Sequence, residues 1–236
     1  VFDTMFYSEL PEVAKTYAIP AKLTRKYGIR KYGFHGLSHK YVSKDLGGKT
    51  ITCHLGSGCS VSAMDGKVVY DTSMGMTPLE GLMMRTRSGS IDPGLIFFLK
   101  KKGHDVDKML RKESGLKGIS GKDDFRDILK TMDKNKKSKL AYDMFVYNLS
   151  KIIGSYIAVL NGLDNLVFTA AMGENVPKLR KDVCNNLKFL DVRLDDEKNE
   201  VNEEKVYHKK SGVKVYVRKT DEESQIIEEV FNSKLE

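Results

Sequence analysis

The chain is predicted to fold as an α/β protein, a mixed sheet flanked by helices, and three observations predict it. Residues 50–72 contain the β-rich, period-two runs TITCHL, CSVSAM and KVVYDT, separated by GSG and DG, which is the pattern of consecutive hairpins. Residues 138–163 place Phe145, Leu149, Ile153, Tyr156 and Leu160 at helical spacing, with apolar residues on other faces as well, so a long and largely buried helix is expected. Twice after that a strand pattern precedes a helical one: NLVFTA at 165–170 before PKLRKDVCNNL at 177–187, and VKVYVR at 213–218 before a Glu-rich stretch beginning near Asp221. Strand followed by helix, repeated, implies a mixed sheet.

Taken in order, the first stretch reads as short helices and loops. Pro11 and Pro20 sit where helix first turns tolerate proline, and Gly28 closes the segment AKLTRKY. In GFHGLSHKYVSKDLGG, Ser38 is the expected N-cap and Gly47 the expected stop, which puts His35 just ahead of a helix. The three hairpin runs then form a meander. Asp92 and Pro93 offer an N-cap and first-turn pair for a helix through FFLKKK, ended by Gly103, and another short helix ends at Gly115. The GEN at 173–175 is expected to be a turn. No repeat, low-complexity tract or Gly/Pro/Ser-rich linker interrupts the chain, so most of it should be one domain, with the last helix set apart.

Composition narrows the class. A chain of 236 residues, 40% hydrophobic, can bury a sizeable core, which argues against general disorder. No run approaches the roughly 20 apolar residues of a membrane span, and VFDTMFYSELPE has neither a basic leader nor a signal-peptide core. Cys53, Cys59 and Cys184 are odd in number and lack metal-ligand spacing, so they are expected to be inert thiols in a reducing cytoplasm. The net charge of +8 is spread among Asp and Glu and not interleaved with aromatics, which argues against nucleic acid as partner but suits a cleft for an anionic nucleotide. Lys100–Lys102 and Lys134, Lys136 and Lys137 read as solvated helix ends. Val1 opens the sequence without an initiator Met, and a fragment is the expectation.

Backbone N–H groups reach phosphate oxygens only where side chains do not intrude, and HLGSGCS at 54–60 and GENVP at 173–177 both meet that need. Charge developing on a transferring phosphoryl group is best met by rigidly held guanidinium and imidazole, for which Arg87 in RTRSGSIDP and His35 in GFHGLSH are suited. Taken singly, each has a plainer reading. Gly56 and Gly58 could be turn glycines, Arg87 a surface ion-pair partner, His35 a core histidine, and Asp3 and Glu222 caps or solvated groups.

The order of the whole set discriminates. VFDT, YGFHG with SH, ITCHLG, DTSMGMTPLEGLMM, TRSGSIDP, KESG, GISG, FRDI, VFTA with GEN, and TDEE follow one another over essentially the full length. In this the chain resembles the acetate kinase family, within the superfamily of actin-like ATPases and sugar kinases. An actin-like or chaperone ATPase would share the fold but would leave GLMM, TRSGSIDP and FHG-SH unexplained.

The resemblance implies a ribonuclease H-like, actin-like domain with a mixed sheet. Residues 1–224 would be the second domain of an acetate kinase, and residues 225–236 a terminal helix that returns to a first domain with no counterpart here. It implies in-line transfer between ATP and acetate, giving acetyl phosphate and ADP, reversibly and without a covalent enzyme intermediate. Asp3 would lie near the acetate, His35 and Arg87 would stabilise the transferring phosphoryl, and Glu222 would hold Mg²⁺ or Mn²⁺. ATP or ADP would be met by His54, Leu55, Gly56, Ser57 and Gly58, by Asp124, Phe125 and Arg126, and by Ala171, Met172, Gly173, Glu174 and Asn175; His39 is a structural candidate. A cytoplasmic homodimer is implied, as is little activity for the isolated chain. Propionate kinase and a non-catalytic nucleotide-binding remnant are the alternatives. Four positions depart from the family's motifs: Ser57 for Asn in HLGNG, Ala171 for the first Gly of GIGEN, Arg85 for Gly in GTRSG, and Leu37 for Thr in FHGTSH.

Overall fold

A computed structural model describes residues 2–232. A 3₁₀ turn, Asp3–Tyr7, opens the chain and is followed by α1 (Glu12–Lys15), α2 (Ala21–Tyr27) and α3 (Gly36–Ser43). The meander is β1 (Lys49–Leu55), β2 (Cys59–Asp65) and β3 (Val68–Thr72). Next come α4 (Pro93–Lys101), α5 (Val106–Lys108) running into a π turn at Met109–Glu113, α6 (Gly115–Ser120), α7 (Phe125–Thr131) and the long α8 (Lys136–Leu160). The chain continues with β4 (Asn165–Thr169), α9 (Ala170–Asn175), α10 (Pro177–Asn186), α11 (Asp196–Glu200), β5 (Lys214–Val217) and α12 (Glu222–Asn232).

The five strands form one sheet in the order β3-β2-β1-β4-β5. The β1–β2 and β2–β3 pairs are antiparallel, as the tight GSG and DG turns require, while β1–β4 and β4–β5 are parallel because helices intervene. The expected mixed sheet is therefore present. Phe145, Leu149 and Ile153 of α8 are fully buried and belong to the main core with Ile51, Cys53, Leu55, Val61 and Ala63 of β1 and β2. On the sheet's other face, Val42 of α3 packs with Val167 and Tyr216.

Period-two alternation does more than bury apolar groups here. If Ile51, Cys53 and Leu55 face α8, then Thr50, Thr52 and His54 must face α3, and on β2 Ser60 and Ser62 join them. All five are buried, so the layer between sheet and α3 is polar and must satisfy itself by hydrogen bonds. Tyr7 hydroxyl bonds Ser62 Oγ at 2.8 Å and donates to Phe34 carbonyl at 3.0 Å, anchoring the opening 3₁₀ turn over this layer.

Several local expectations need correction. Ser38 is not the N-cap of α3: the helix starts at Gly36 with His35 in the cap position, and Ser38, fully buried, bonds His54 Nδ1 at 2.8 Å. Asp3, brought in from the opening turn, caps the helix instead, a tertiary contact with no local signature. Gly47 does not stop α3, which has ended at Ser43. The GEN segment is not a turn but the end of α9. Short helices α6 and α7 were not foreseen. The expected boundary at 224/225 lies within the span of α12, and residues 233–236 of the expected terminal segment lie outside the described residues. That helix packs on α3, with ion pairs Lys40–Glu229 and Lys44–Glu228 and a buried Gln225.

Candidate active site

Parallel neighbours end on the same side of a sheet, and ligands of open α/β sheets bind beyond those carboxyl ends. Strand β1 runs into the loop Gly56–Gly58 and β4 runs into α9, so the two phosphate-loop candidates emerge side by side. A Cβ at Gly56 would lie 3.8 Å from that of Ala170. The sequence's suggestion of two loops facing one ligand has a geometric basis in this register.

At the Gly58 end of the loop, the candidate charged residues gather. Asp3 accepts from the N–H of His35 at 2.5 Å and of Leu37 at 3.0 Å, so its carboxylate closes the N-terminus of α3. That contact holds His35 in a left-handed conformation, φ 59°, which a non-glycine residue adopts only when its surroundings over-determine it. Gly36 makes the arrangement possible, since a Cβ there would lie 2.1 Å from the carbonyl oxygen of Asp3. The His35 ring stacks on His54 with centroids 4.2 Å apart. A Cβ on Gly58 would come within 3.2 Å of His35 Nε2 and 3.4 Å of Arg87 Nη1, so the missing side chain leaves a space flanked by imidazole and guanidinium. Arg87 is aimed by donation to Pro78 carbonyl at 3.1 Å.

Glu222, on the first turn of α12, has its pKa raised by partial burial and then by the charge of Asp3. Two carboxylates that feel each other, Asp3 and Glu222, fit a site for a hard cation bound by one or two carboxylates plus ligand phosphates and water. Among the described residues no three His, Cys, Asp or Glu side chains form a ready-made cage. Burial lowers the pKa of His35, of His54 to about 3 and of His39 well below its ordinary value, so the cluster is neutral imidazole near pH 7.

At the other end of the loop opens a cleft of about 690 Å³. Its walls include Gly56, Ser57, Asp124, Phe125, Arg126, Ala171, Met172 and Asn175, all sequence candidates, together with Arg85, Leu116, Asp123, Leu129 and Val176. Asp124 caps α7 and grips Arg126 Nη2 at 2.5 Å, while Arg85 Nε donates to Asp123 at 3.2 Å. Of the remaining candidates, Leu55 is fully buried in the core, His54 lies behind His35, Gly58 belongs to the charged end, and Gly173 is buried. Glu174 lines a separate cleft with Arg218 and Lys219. Arg180 was not singled out from the sequence. Fully buried, it donates to the carbonyls of Gly173 (2.8 Å) and Glu174 (3.0 Å) and so fixes the end of α9.

Residues 1–228 match the Acetokinase family. The chain belongs to that family. An acetate kinase of Carboxydothermus hydrogenoformans is 48% identical over 98% of this chain and 62% of its own length. Among solved structures, an acetate kinase of Porphyromonas gingivalis superposes with a TM-score of 0.94 at 38% identity, covering 98% of this chain and 63% of that one. A propionate kinase of Francisella tularensis superposes at 0.91 with 40% identity, covering 96% and 62%. The actin-like ATPase fold expected from the motifs is the fold observed. The acetokinase chain thus spans about 62% of the length of the curated relative from C. hydrogenoformans.

Proposed function

We propose that this acetokinase chain supplies the nucleotide cleft and most of the charged phosphoryl site of an enzyme that transfers the terminal phosphoryl of ATP to acetate, reversibly. The observation that carries the reading is the space over Gly58, flanked by His35 Nε2 and Arg87 Nη1 and lying one residue beyond the cleft wall at Ser57. Adenosine would occupy the cleft between α7 and α9, with the phosphates running along Gly56, Ser57 and Gly58.

Phosphoryl transfer to a carboxylate needs no general base, because the acceptor is already an anion. What it needs is alignment and relief of charge. Arg87 would supply a permanent cation with a planar fork, and neutral His35 a hydrogen-bond donor, both held before the ligand arrives and so requiring no reorganisation at the transition state. Asp3 is engaged by two N–H groups and would act by orienting His35 as well as by facing the acetate site. Glu222, which feels the charge of Asp3, is the side chain that would hold Mg²⁺, which when bound neutralises nucleotide phosphate charge.

Acetate is favoured as acceptor on the names of two of the relatives described above; one extra methylene changes such selectivity by only about 1–3 kcal/mol, which keeps propionate as the second substrate to assay. Free cysteines fit a cytoplasmic setting. A homodimer is carried over from the resemblance, and exposed Phe97 and Phe98 on α4 offer an apolar face for it, to be tested by sedimentation velocity.

The deciding experiment is steady-state acetyl phosphate formation by the chain joined to the first-domain portion of a relative. Arg87→Ala should lower kcat by a factor of about 10² or more, as removal of a transition-state charge partner does. A kcat within twofold of the unsubstituted enzyme would remove Arg87 from the mechanism.

A further inference from the structure

Behind His35 runs a chain of buried hydrogen bonds. His35 Nδ1 lies 2.8 Å from Ser60 Oγ, the same oxygen lies 2.7 Å from His39 Nε2, and His39 Nδ1 lies 2.6 Å from Thr52 Oγ1. Ser60, His39 and Thr52 are all fully buried. A hydroxyl has one proton to donate, so Ser60 must donate to one imidazole and accept from the other. With neutral rings, only two head-to-tail arrangements satisfy every link.

In the first, His35 Nδ1–H donates to Ser60, Ser60 to His39 Nε2, and His39 Nδ1–H to Thr52. The proton of Thr52 then needs an acceptor, and among the described residues Thr52 Oγ1 has no partner except His39. A buried O–H donor left unmade costs about 1–3 kcal/mol. In the second, every arrow reverses: Thr52 donates to His39 Nδ1, His39 Nε2–H to Ser60, and Ser60 to His35 Nδ1. Each buried proton is used, and the last one sits on His35 Nε2, which faces the space over Gly58 beside Arg87.

We propose that Thr52, His39 and Ser60 are positioning residues that lock His35 in its Nε2–H tautomer, so that a donor already points into the phosphoryl site before an anion binds. The hydrogen-bond accounting stands without any ligand; the use of that proton rests on the phosphoryl-transfer reading. An Nε2 lone pair would repel a phosphoryl oxygen, whereas Nε2–H attracts it. His35 is thus set as a donor by three residues, Thr52 on β1, Ser60 on β2 and His39 on α3, that lie behind it.

Two-dimensional ¹H–¹⁵N correlation of the histidine rings in the nucleotide-free chain reports the tautomer directly. The expected result is Nε2–H at His35 and at His39. Thr52→Val, which keeps the shape and removes the donor, should shift His35 toward a mixture of tautomers, and Thr52→Ser should restore Nε2–H. In the joined enzyme Thr52→Val should lower kcat about tenfold, the scale typical of outer-shell partners of a working imidazole, with KM for ATP within about twofold. Nδ1–H at His35 in the unsubstituted chain, or a His35 tautomer indifferent to Thr52→Val, overturns the proposal. A chain with the expected tautomer that binds no nucleotide overturns the phosphoryl-transfer reading and with it the use of the proton.

Discussion

His54 shows how a single buried residue makes acid sensitivity a property of the site. Burial, and then the neighbouring His35, lower its pKa to about 3, whereas an unfolded histidine titrates near its ordinary 6.5. Between those values the unfolded chain binds more protons than the folded one, so the stability contributed by neutral His54 is complete above about pH 6.5 and is lost as pH falls. The slope is about 1.4 kcal/mol per pH unit, or about 2 kcal/mol between pH 6.5 and 5 from this group alone. His39 and His35 are shifted in the same direction and add to it. Urea titrations at pH 7.5, 6 and 5 should show the loss; equal midpoints would mean the imidazoles are not buried neutral. A second expectation concerns Gly36, where a methyl would meet the Asp3 carbonyl at 2.1 Å. Gly36→Ala should destabilise the fold by about 1–3 kcal/mol through overpacking and displace Asp3 from the α3 cap, measured by thermal unfolding. The sequence motifs made Asp3, His35, Arg87 and Glu222 candidates, but their convergence was not readable from composition or spacing, because Asp3 reaches His35 across 32 positions. Ser60 and Thr52 were missed although a signal was present: Thr50, Thr52 and His54 alternate with apolar neighbours, and a buried strand with one polar face must be spending its hydrogen bonds on something.

At the scale of elements, the sheet and the long helix were legible because their periods are long and unbroken. Asn135 caps α8 by accepting from Lys137 and Ser138, and its buried stripe is the one the spacing predicts. The short helices α6, α7 and α9 were not legible, since a single turn or two carries too little pattern and is set by tertiary contacts. For α9 that contact is Arg180. Its five hydrogen bonds go to the carbonyls of Gly173, Glu174 and Asn199 and to the side chains of Asn199 and Asn202, none of them a carboxylate, and burial lowers its pKa to about 10. Cationic hydrogen bonding at the carboxyl end of a helix also complements the negative end of the helix dipole. Arg180→Met keeps the apolar stem but leaves those acceptors buried and unmade, and should cost about 3–5 kcal/mol in chemical denaturation. A loss under 1 kcal/mol would show that α9 holds its place without it.

For the molecule as a whole, an acetokinase chain spanning 62% of a relative's length carries a cleft, proposed here for nucleotide, walled by its own residues. The 236-residue chain should therefore bind nucleotide, yet transfer little phosphoryl to acetate on its own if, as proposed, acceptor alignment also draws on the part of the relatives' length that it does not span. The most direct test of convergence at Gly58 is calorimetric titration of the chain with Mg²⁺ and either ADP or a non-hydrolysable ATP analogue, with and without Arg87→Ala. One binding site is predicted, with the substitution weakening the triphosphate analogue about tenfold or more, the worth of a charge-assisted hydrogen bond, and ADP much less. Equal losses for the two ligands, or none for either, would contradict the placement of the terminal phosphate between His35 and Arg87.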